Sequence, residues 1–532
     1  MSSPRDVTHS ARRWWALVAI AASVLVVGLD LTVLNLALPT MSVSLHATTG
    51  DLQWIVDSYS LVLAALILPA GLLGDRYGRK RLLIVCLVLF GVSSAACAYA
   101  GSVGELIAAR AVLGIGAAAI FPLALSVLPV LFAPEERQKA VAAIAGSTML
   151  SFPIGPIVGG YLLSHFWWGS VFLINVPIVV LAVFAVATLM PESRSERRPS
   201  IDLAGLAVST VGLVALTYGF IKAGEDGWSD AAAVALIAAG VVVLAVLPLV
   251  ERRIARSGGQ PLADLQLFES PGFRWGTILA TLVSFAMFGI FFALPQYFQD
   301  VRGADALGSG IRLLPMIGGM LVGMVVGTRL SSPRSGGRPA LAGPRPLVTV
   351  GYLLMAAGMA IGALTTLSSS TGYVLGWVAL SGLGLGLIMP SAMGVALGAL
   401  SAERSGAGSA LLTAMRQVGS TIGVAVLGTV ISNSYSSGVA SAAAKLPPAA
   451  GAAVRSSVGS GVAVAVKTSP ELLETVRSSF VHGMSQMLWT CGGIAVACAL
   501  LAVIVLRSRD ERGNTGEPGV GADTEAGSLP VR

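Results

Sequence analysis

Charge is what this chain has least of. Asp, Glu, Lys and Arg make up 11% of its 532 residues, where a soluble domain carries about 25%. So few charged groups cannot cover a water-facing particle of this length, which excludes a soluble globular protein. Cysteine is scarce too: Cys86, Cys97, Cys491 and Cys498 all lie within long apolar stretches, where packing rather than a disulfide framework is expected. The four histidines, His9, His46, His165 and His482, show no metal-ligand spacing. No GxxxxGK[ST] loop or dinucleotide fingerprint occurs, so an ATP-driven pump or a nucleotide-dependent enzyme is not supported. No cofactor and no enzymatic activity are expected.

Apolar sequence fills the space. The chain is 55% hydrophobic, with 63 glycines and a mean hydropathy of +0.81. Fourteen runs of roughly 20 apolar residues match a hydrocarbon core of about 30 Å. They fall near 15–38, 52–73, 82–100, 104–130, 138–163, 168–190, 203–222, 231–250, 273–298, 306–329, 346–367, 372–397, 406–431 and 481–506. An all-α, multi-pass membrane protein follows, with the lipid bilayer as its solvent. The first run follows Arg12 and Arg13 as a signal peptide would, but it contains Asp30 and lacks a small-residue cleavage site, so it reads as a retained span. The net charge of +7 is not a nucleic-acid footprint. With the N-terminus inside, the inner segments hold 25 of the 34 Lys and Arg and the outer loops 6, which places both termini in the cytoplasm. Residues 1–14 then form a cytoplasmic tail, and the Gly- and acid-rich 507–532 a disordered one.

The chain echoes itself. Span 1 ends in "ALP" (37–39) and span 9 in "ALP" (293–295). Span 4 carries "GIGAAAIFP" (114–122) and span 12 "GLGLGLIMP" (382–390), each with Gly-x-Gly, five residues and Pro. Two homologous six-helix bundles are predicted, at 15–190 and 273–506, with spans 7 and 8 (203–250) inserted between them. This is a repeat architecture of secondary transporters. The long outer loop 432–480 suits a helical hairpin or a disordered lid equally well.

Ionisable residues inside spans are costly and point to function. Asp30, Asp57 and Arg110 all fall in the outer half of the membrane, Asp30 about 13 Å from the outer end of its span at 1.5 Å per residue. A carboxyl at that depth is poorly solvated as an anion, yet is held charged by a nearby guanidinium. Movement of Arg110, or arrival of a polar substrate, could therefore decide whether Asp30 holds a proton, with Asp57 as the second candidate. A fixed Asp30–Arg110 pair joining helices is the structural alternative.

Four motifs carry a family resemblance. "GLLGDRYGRKRLL" (71–83) lies between spans 2 and 3, "LDLTVLNLALP" (29–39) in span 1, "ARAVLGIGAA" (109–118) in span 4 and "SFPIGPIVGG" (151–160) in span 5. Together they resemble the signature motifs of the major facilitator superfamily, and the fourteen spans resemble its drug:proton antiporters of the EmrB/QacA type. The resemblance implies proton-driven efflux of hydrophobic drugs or antibiotics across the cytoplasmic membrane, with resistance as the outcome. It implies an inner latch from Gly71, Gly74, Asp75, Arg76, Gly78 and Arg79, in which Asp75 faces the N-terminus of span 13 near Ser405. A carboxylate there contributes about 0.3–1 kcal/mol when exposed, and Arg76 and Arg79 could pair with Glu135 and Glu136. It also implies a tight contact of span 5 against the other half, through Gly146, Gly155, Pro156, Gly159 and Gly160. One departure stands out: members often read Trp-Arg-Trp-Ile-Phe before "LINVP", whereas this chain has "WGSVF" (168–172).

The second half has no acid inside a span. Candidate cavity residues are Phe288, Phe292, Gln296, Arg312, Met389, Arg416 and Gln417, and Met and aromatic walls are adaptable to apolar ligands. Three intramembrane arginines against two aspartates disfavour a dication. A bulky hydrophobic small molecule, neutral, monocationic or acidic, is expected, with protons as the coupling ion and a monomer as the working unit. A transporter of one specific metabolite and a non-transporting sensor or scaffold are the competing readings.

Overall fold

The structure, a computed structural model, describes residues 4–193, 202–256, 265–331, 342–400 and 404–506. Its helices are α1 (Pro4–Ser44), α2 (Thr49–Tyr77), α3 (Arg79–Ala98), α4 (Val103–Leu131), α5 (Pro134–His165), α6 (Ser170–Leu173), α7 (Asn175–Leu189), α8 (Leu203–Asp226), α9 (Ala231–Arg256), α10 (Pro271–Gln296), α11 (Ala306–Ser331), α12 (Pro344–Ala363), α13 (Thr371–Gly398), α14 (Ser405–Ala443), α15 (Pro448–Ser456), α16 (Val458–Thr468) and α17 (Pro470–Val505). Among the described residues, fourteen spans are long and apolar enough to cross a membrane, α6 and α7 together forming the sixth. The face carrying the 71–83 turn is called the basic face below, the opposite one the far face.

Local chemistry explains where the helices stop. Thr48 and Asp51 form a capping box at the start of α2, and Ser102, Ser370 and Ser469 cap α4, α13 and α17 through their hydroxyls, each satisfying an orphan backbone donor. Gly78 turns the chain from α2 to α3 at φ +106°, a conformation that L side chains rarely adopt.

The two bundles, α1–α7 and α10–α14 with α17, repeat at the level of contacts. The first glycine of each Gly-x-Gly motif lies against the second helix of its bundle or its counterpart: Gly114 on the Tyr59 carbonyl of α2, Gly382 on the Met316 carbonyl of α11. The second glycine lies against the third: Gly116 on Cys86 O and Phe90 of α3, Gly384 on Gly351 O and Met355 N of α12. Small residues at these points let backbones approach. The inserted α8 packs against both α2 and α14 and so covers the seam between the bundles, with Trp54 and Tyr218 ring centroids 5.8 Å apart. α9 packs on α8 and turns Val234, Val241, Val242 and Leu249 outward.

Several boundaries differ from the sequence expectation. α1 is helical from Pro4, so most of residues 1–14 continues the first helix rather than forming a separate tail. In the 432–480 segment the structure has the helical one of the two forms the sequence allowed, α15 and α16 packing on each other, and not a disordered lid. α14 runs on to Ala443, α17 starts at Pro470, and α15 and α16 fill the interval. Tyr435 Oη fixes them by donating to Val454 O at 2.7 Å and Ser457 O at 3.1 Å. Ser460 Oγ and Thr49 Oγ1 then tie them across to the first bundle, at Ser42 O and Ser456 O. The 507–532 tail lies outside the described residues.

Candidate functional site: a buried ion pair and the bundle seam

The Asp30–Arg110 pair is the centre of the first bundle. Arg110 Nη1 lies 2.5 Å from Asp30 Oδ2, and the two side chains are 0% and 1% exposed. α1 and α4 are in contact and present the two charges to each other, while α2 completes the cage. Arg110 Nε donates to Ile55 O at 3.1 Å, and the guanidinium sits 4.4 Å over the Tyr59 ring and 5.9 Å from that of Phe172. Asn175 Nδ2 donates to Asp30 Oδ1 at 3.4 Å and to Ser94 Oγ at 3.0 Å. Ser94 Oγ in turn donates to Phe172 O at 2.9 Å. A buried charge needs both a counter-charge and hydrogen bonds, and five segments of the bundle supply them. Sequence reasoning missed Asn175, Ser94 and Tyr59. The signal available for Asn175 was an amide within an apolar span, in "LINVP".

Asp57 has a different environment. It is fully buried, and neither carboxyl oxygen has a hydrogen-bond partner among the described residues. It lies one turn from Gln53 on the same face of α2. Gln53 Nε2 reaches across to α14 and donates to Val424 O at 3.1 Å and Ala425 O at 2.8 Å. Helix 2 is therefore not peripheral, and Asp57 lies at the seam between the bundles rather than beside Arg110.

The span 5 motif divides between two neighbours. Gly155 and Gly159 pack on Thr32 and Val33 of α1, within their own bundle. Gly160 meets the Leu307 backbone, and the Pro156 carbonyl meets Gly310, both on α11 of the other bundle. Gly146 has open space around it. Beside this contact Gln299 Nε2 donates to Leu36 O at 2.9 Å, and Ser164 Oγ to Asp305 Oδ2 at 3.4 Å. These bonds, with those of Gln53, Ser460 and Thr49, lie toward the far face, which is closed.

At the basic face, Gly74 packs on Leu123 and Gly71 approaches Pro122. The acid that meets this turn is Glu192, which accepts from Lys80 N at 3.2 Å and lies 3.6 Å from Arg81 Nε. Arg79 N donates to Ser193 O. Glu136, the expected partner of Arg76 or Arg79, instead pairs with Arg13 at 2.9 Å, because the extension of α1 brings Arg13 beside α5. Arg76 is exposed and lies over Tyr77. The side chains of Asp75 and Glu135 fall outside the described set. The "WGSVF" departure has a local cause: a Cβ on Gly169 would meet Ala98 O at 2.3 Å and Trp167 Nε1 at 2.4 Å, leaving no room for a side chain.

The candidate cavity residues are scattered rather than clustered. Phe292 is buried in the core of the first bundle although it belongs to the second, and Phe288 touches both cores. Gln296 donates to Phe292 O of its own helix. Arg312 lies over the Phe298 ring near the far face. Met389, Arg416 and Gln417 are partly exposed on α13 and α14.

Twelve of the fourteen spans in two repeated bundles, closed against each other at one face and enclosing a buried ion pair, define the architecture of a secondary membrane transporter. Residues 20–424 match the Major Facilitator Superfamily, and the chain belongs to it. It is 34% identical to the tetracenomycin C resistance and export protein of Streptomyces glaucescens, over 96% of each chain. It is 33% identical to the multidrug efflux pump LfrA of Mycolicibacterium smegmatis, covering 95% of this chain and 98% of the relative. Identity to the methyl viologen resistance protein SmvA of Salmonella typhimurium is 31%, covering 92% and 97%. Among solved structures, a bacterial homolog of the human lysosomal transporter Spinster shares the fold at a TM-score of 0.65 and 16% identity, covering 95% of this chain and 98% of that one. A D-xylose–proton symporter does so at 0.62 and 16%, covering 93% and 98%.

Proposed function

We propose that this chain exports bulky hydrophobic drugs or antibiotics across the cytoplasmic membrane in exchange for protons, as a monomer, with its basic face in the cytoplasm. The resistance and export names of its relatives support the efflux direction, and the distribution of Lys and Arg supports the orientation. The observation that carries the coupling is the buried Asp30–Arg110 pair, caged by Ile55, Tyr59 and Asn175.

In this reading Asp30 is the proton carrier. Protonation removes the Coulombic hold on Arg110, while the guanidinium keeps its bond to Ile55 O and its place over Tyr59. Asn175 keeps the carboxyl oriented through the exchange. Substrate bound between the bundles favours the far-open state, in which the contacts of Gly160 and Gly310 separate and Asp30 takes up a proton from that side. Substrate leaves there, the protonated carrier returns to the state open at the basic face, and release of the proton at that face restores the pair. Asp57, at the seam, is the second protonatable group in this scheme. Asp75 with the N-terminus of α14 forms the latch at the basic face when that side closes.

Inverted membrane vesicles with an acid-inside gradient and a pH-sensitive dye test this. Hydrophobic antibiotics and cationic dyes should trigger proton release from wild-type vesicles and none from Asp30→Asn. Release that survives in Asp30→Asn and disappears in Asp57→Asn would move the carrier to the seam. Release with a single compound of the panel would favour a dedicated metabolite exporter.

A further inference from the structure

We propose that the second bundle carries an anion-recognition site at Arg416, so that the preferred cargo is a hydrophobic compound bearing an acidic group, a carboxylate or a phenolate. This deepens the export reading above and rests on it. Between Asp305 and Glu471 the sequence contains a single acid, Glu403. Arg416 lies eleven residues into α14, about 16 Å from its start, and Glu403 is thirteen residues before it in the sequence. The guanidinium makes two weak contacts, Nε to Ser284 Oγ at 3.4 Å and Nη1 to Met393 Sδ at 3.8 Å. No carboxylate among the described residues is within ion-pair distance of it.

The setting points the group into the interior. α14 shows α10 its Gly419 and Gly423, and α8 its Thr429 and Asn433. Arg416 lies on the α10 side and reaches past Ser284 to Met393 of α13, so its partial exposure opens between helices of the bundle and not toward lipid. A guanidinium short of acceptors in a span matches a ligand that brings carboxylate or phenolate oxygens. The acids of the first bundle do not compensate. Asp30 is bound by Arg110, and Asp57 is fully buried at the α2–α14 seam. Arg312 lies over Phe298 toward the far face and is not part of the site.

The test uses one ring system at three charges: anthracene-9-carboxylate, its methyl ester, and an anthracenylmethyl-trimethylammonium salt. Binding to the purified full-length protein is followed through anthracene fluorescence, and proton release through inverted vesicles. The wild type should hold the carboxylate about tenfold or more tighter than the ester, and the ammonium salt weakest of all. Arg416→Gln should weaken the carboxylate by about 10- to 100-fold and leave the ester within about twofold, with Arg416→Lys between the two. Equal or tighter binding of the ester or the ammonium salt by wild type would overturn the proposal without recourse to any variant. So would an Arg416→Gln loss that is the same for all three, because the partner of Arg416 would then belong to the protein, with Asp57 the candidate. Carboxylate-selective binding with no proton release from any compound would instead break the export reading while leaving the site standing.

Discussion

A single methyl group at Gly310 should shift the balance between the two faces of the transporter. A Cβ there would lie 2.2 Å from Pro156 O and 2.9 Å from Pro156 C, about 1 Å inside ordinary contact, and the obstacle is backbone that cannot rotate away. α5 and α11 belong to different bundles, so the clash exists only while the far face is closed. Overpacking of this kind costs about 1–3 kcal/mol. Applied to one conformer alone, that favours the far-open state by about 5- to 150-fold. Ser42, 1% exposed beneath α16, reports the opening. A Ser42→Cys protein should react with a membrane-impermeant maleimide at least about fivefold faster when it also carries Gly310→Ala, and the four native cysteines are buried and silent. Gly146→Ala on α5, where a Cβ meets nothing within 4 Å, is the control. Unchanged labelling in Gly310→Ala, with the protein folded, would refute the assignment of this contact to the gate. Equal acceleration in the control would refute it as well.

Three further outcomes follow from the geometry. Arg110→Lys keeps the charge but cannot span Asp30, Ile55 O and the Tyr59 ring together, so drug-triggered proton release should fall by about tenfold or more; near-normal release would mean that charge alone suffices. Asn175→Ala removes the bonds to Asp30 and Ser94 and should lower the transport rate by about 5- to 20-fold, with expression close to wild type. Tyr435→Phe deletes both bonds that hold α15 and α16, at about 1–3 kcal/mol, and should expose 444–470 to limited proteolysis from the far face at a protease level that spares wild type.

The sequence alone determined the parts of this protein that depend on local chemistry. Span length, the order of the spans, the two-bundle repeat and the insert are all written in runs of apolar residues and in the placement of Gly and Pro, because a bilayer forces each crossing to satisfy its own backbone. The candidate pair Asp30 and Arg110 was equally legible, since a charge in a span stands out against its surroundings. Tertiary structure alone decided which faces meet. Most spans are apolar all round, so periodicity carries little information about which side of a helix turns inward. That is why Gly155 and Gly160, five residues apart, pack on different bundles, and why Asn175, bonded to Ser94, reaches Asp30 from a helix distant in sequence. The same limit hid the pairing of Arg13 with Glu136 and the meeting of Arg81 with Glu192. It also hid the α15–α16 cap, where an Ala-, Ser- and Gly-rich segment gains its order from Tyr435 and from the first bundle. Azimuth and tilt are set by the neighbours of a helix, and neighbours exist only once the chain has packed.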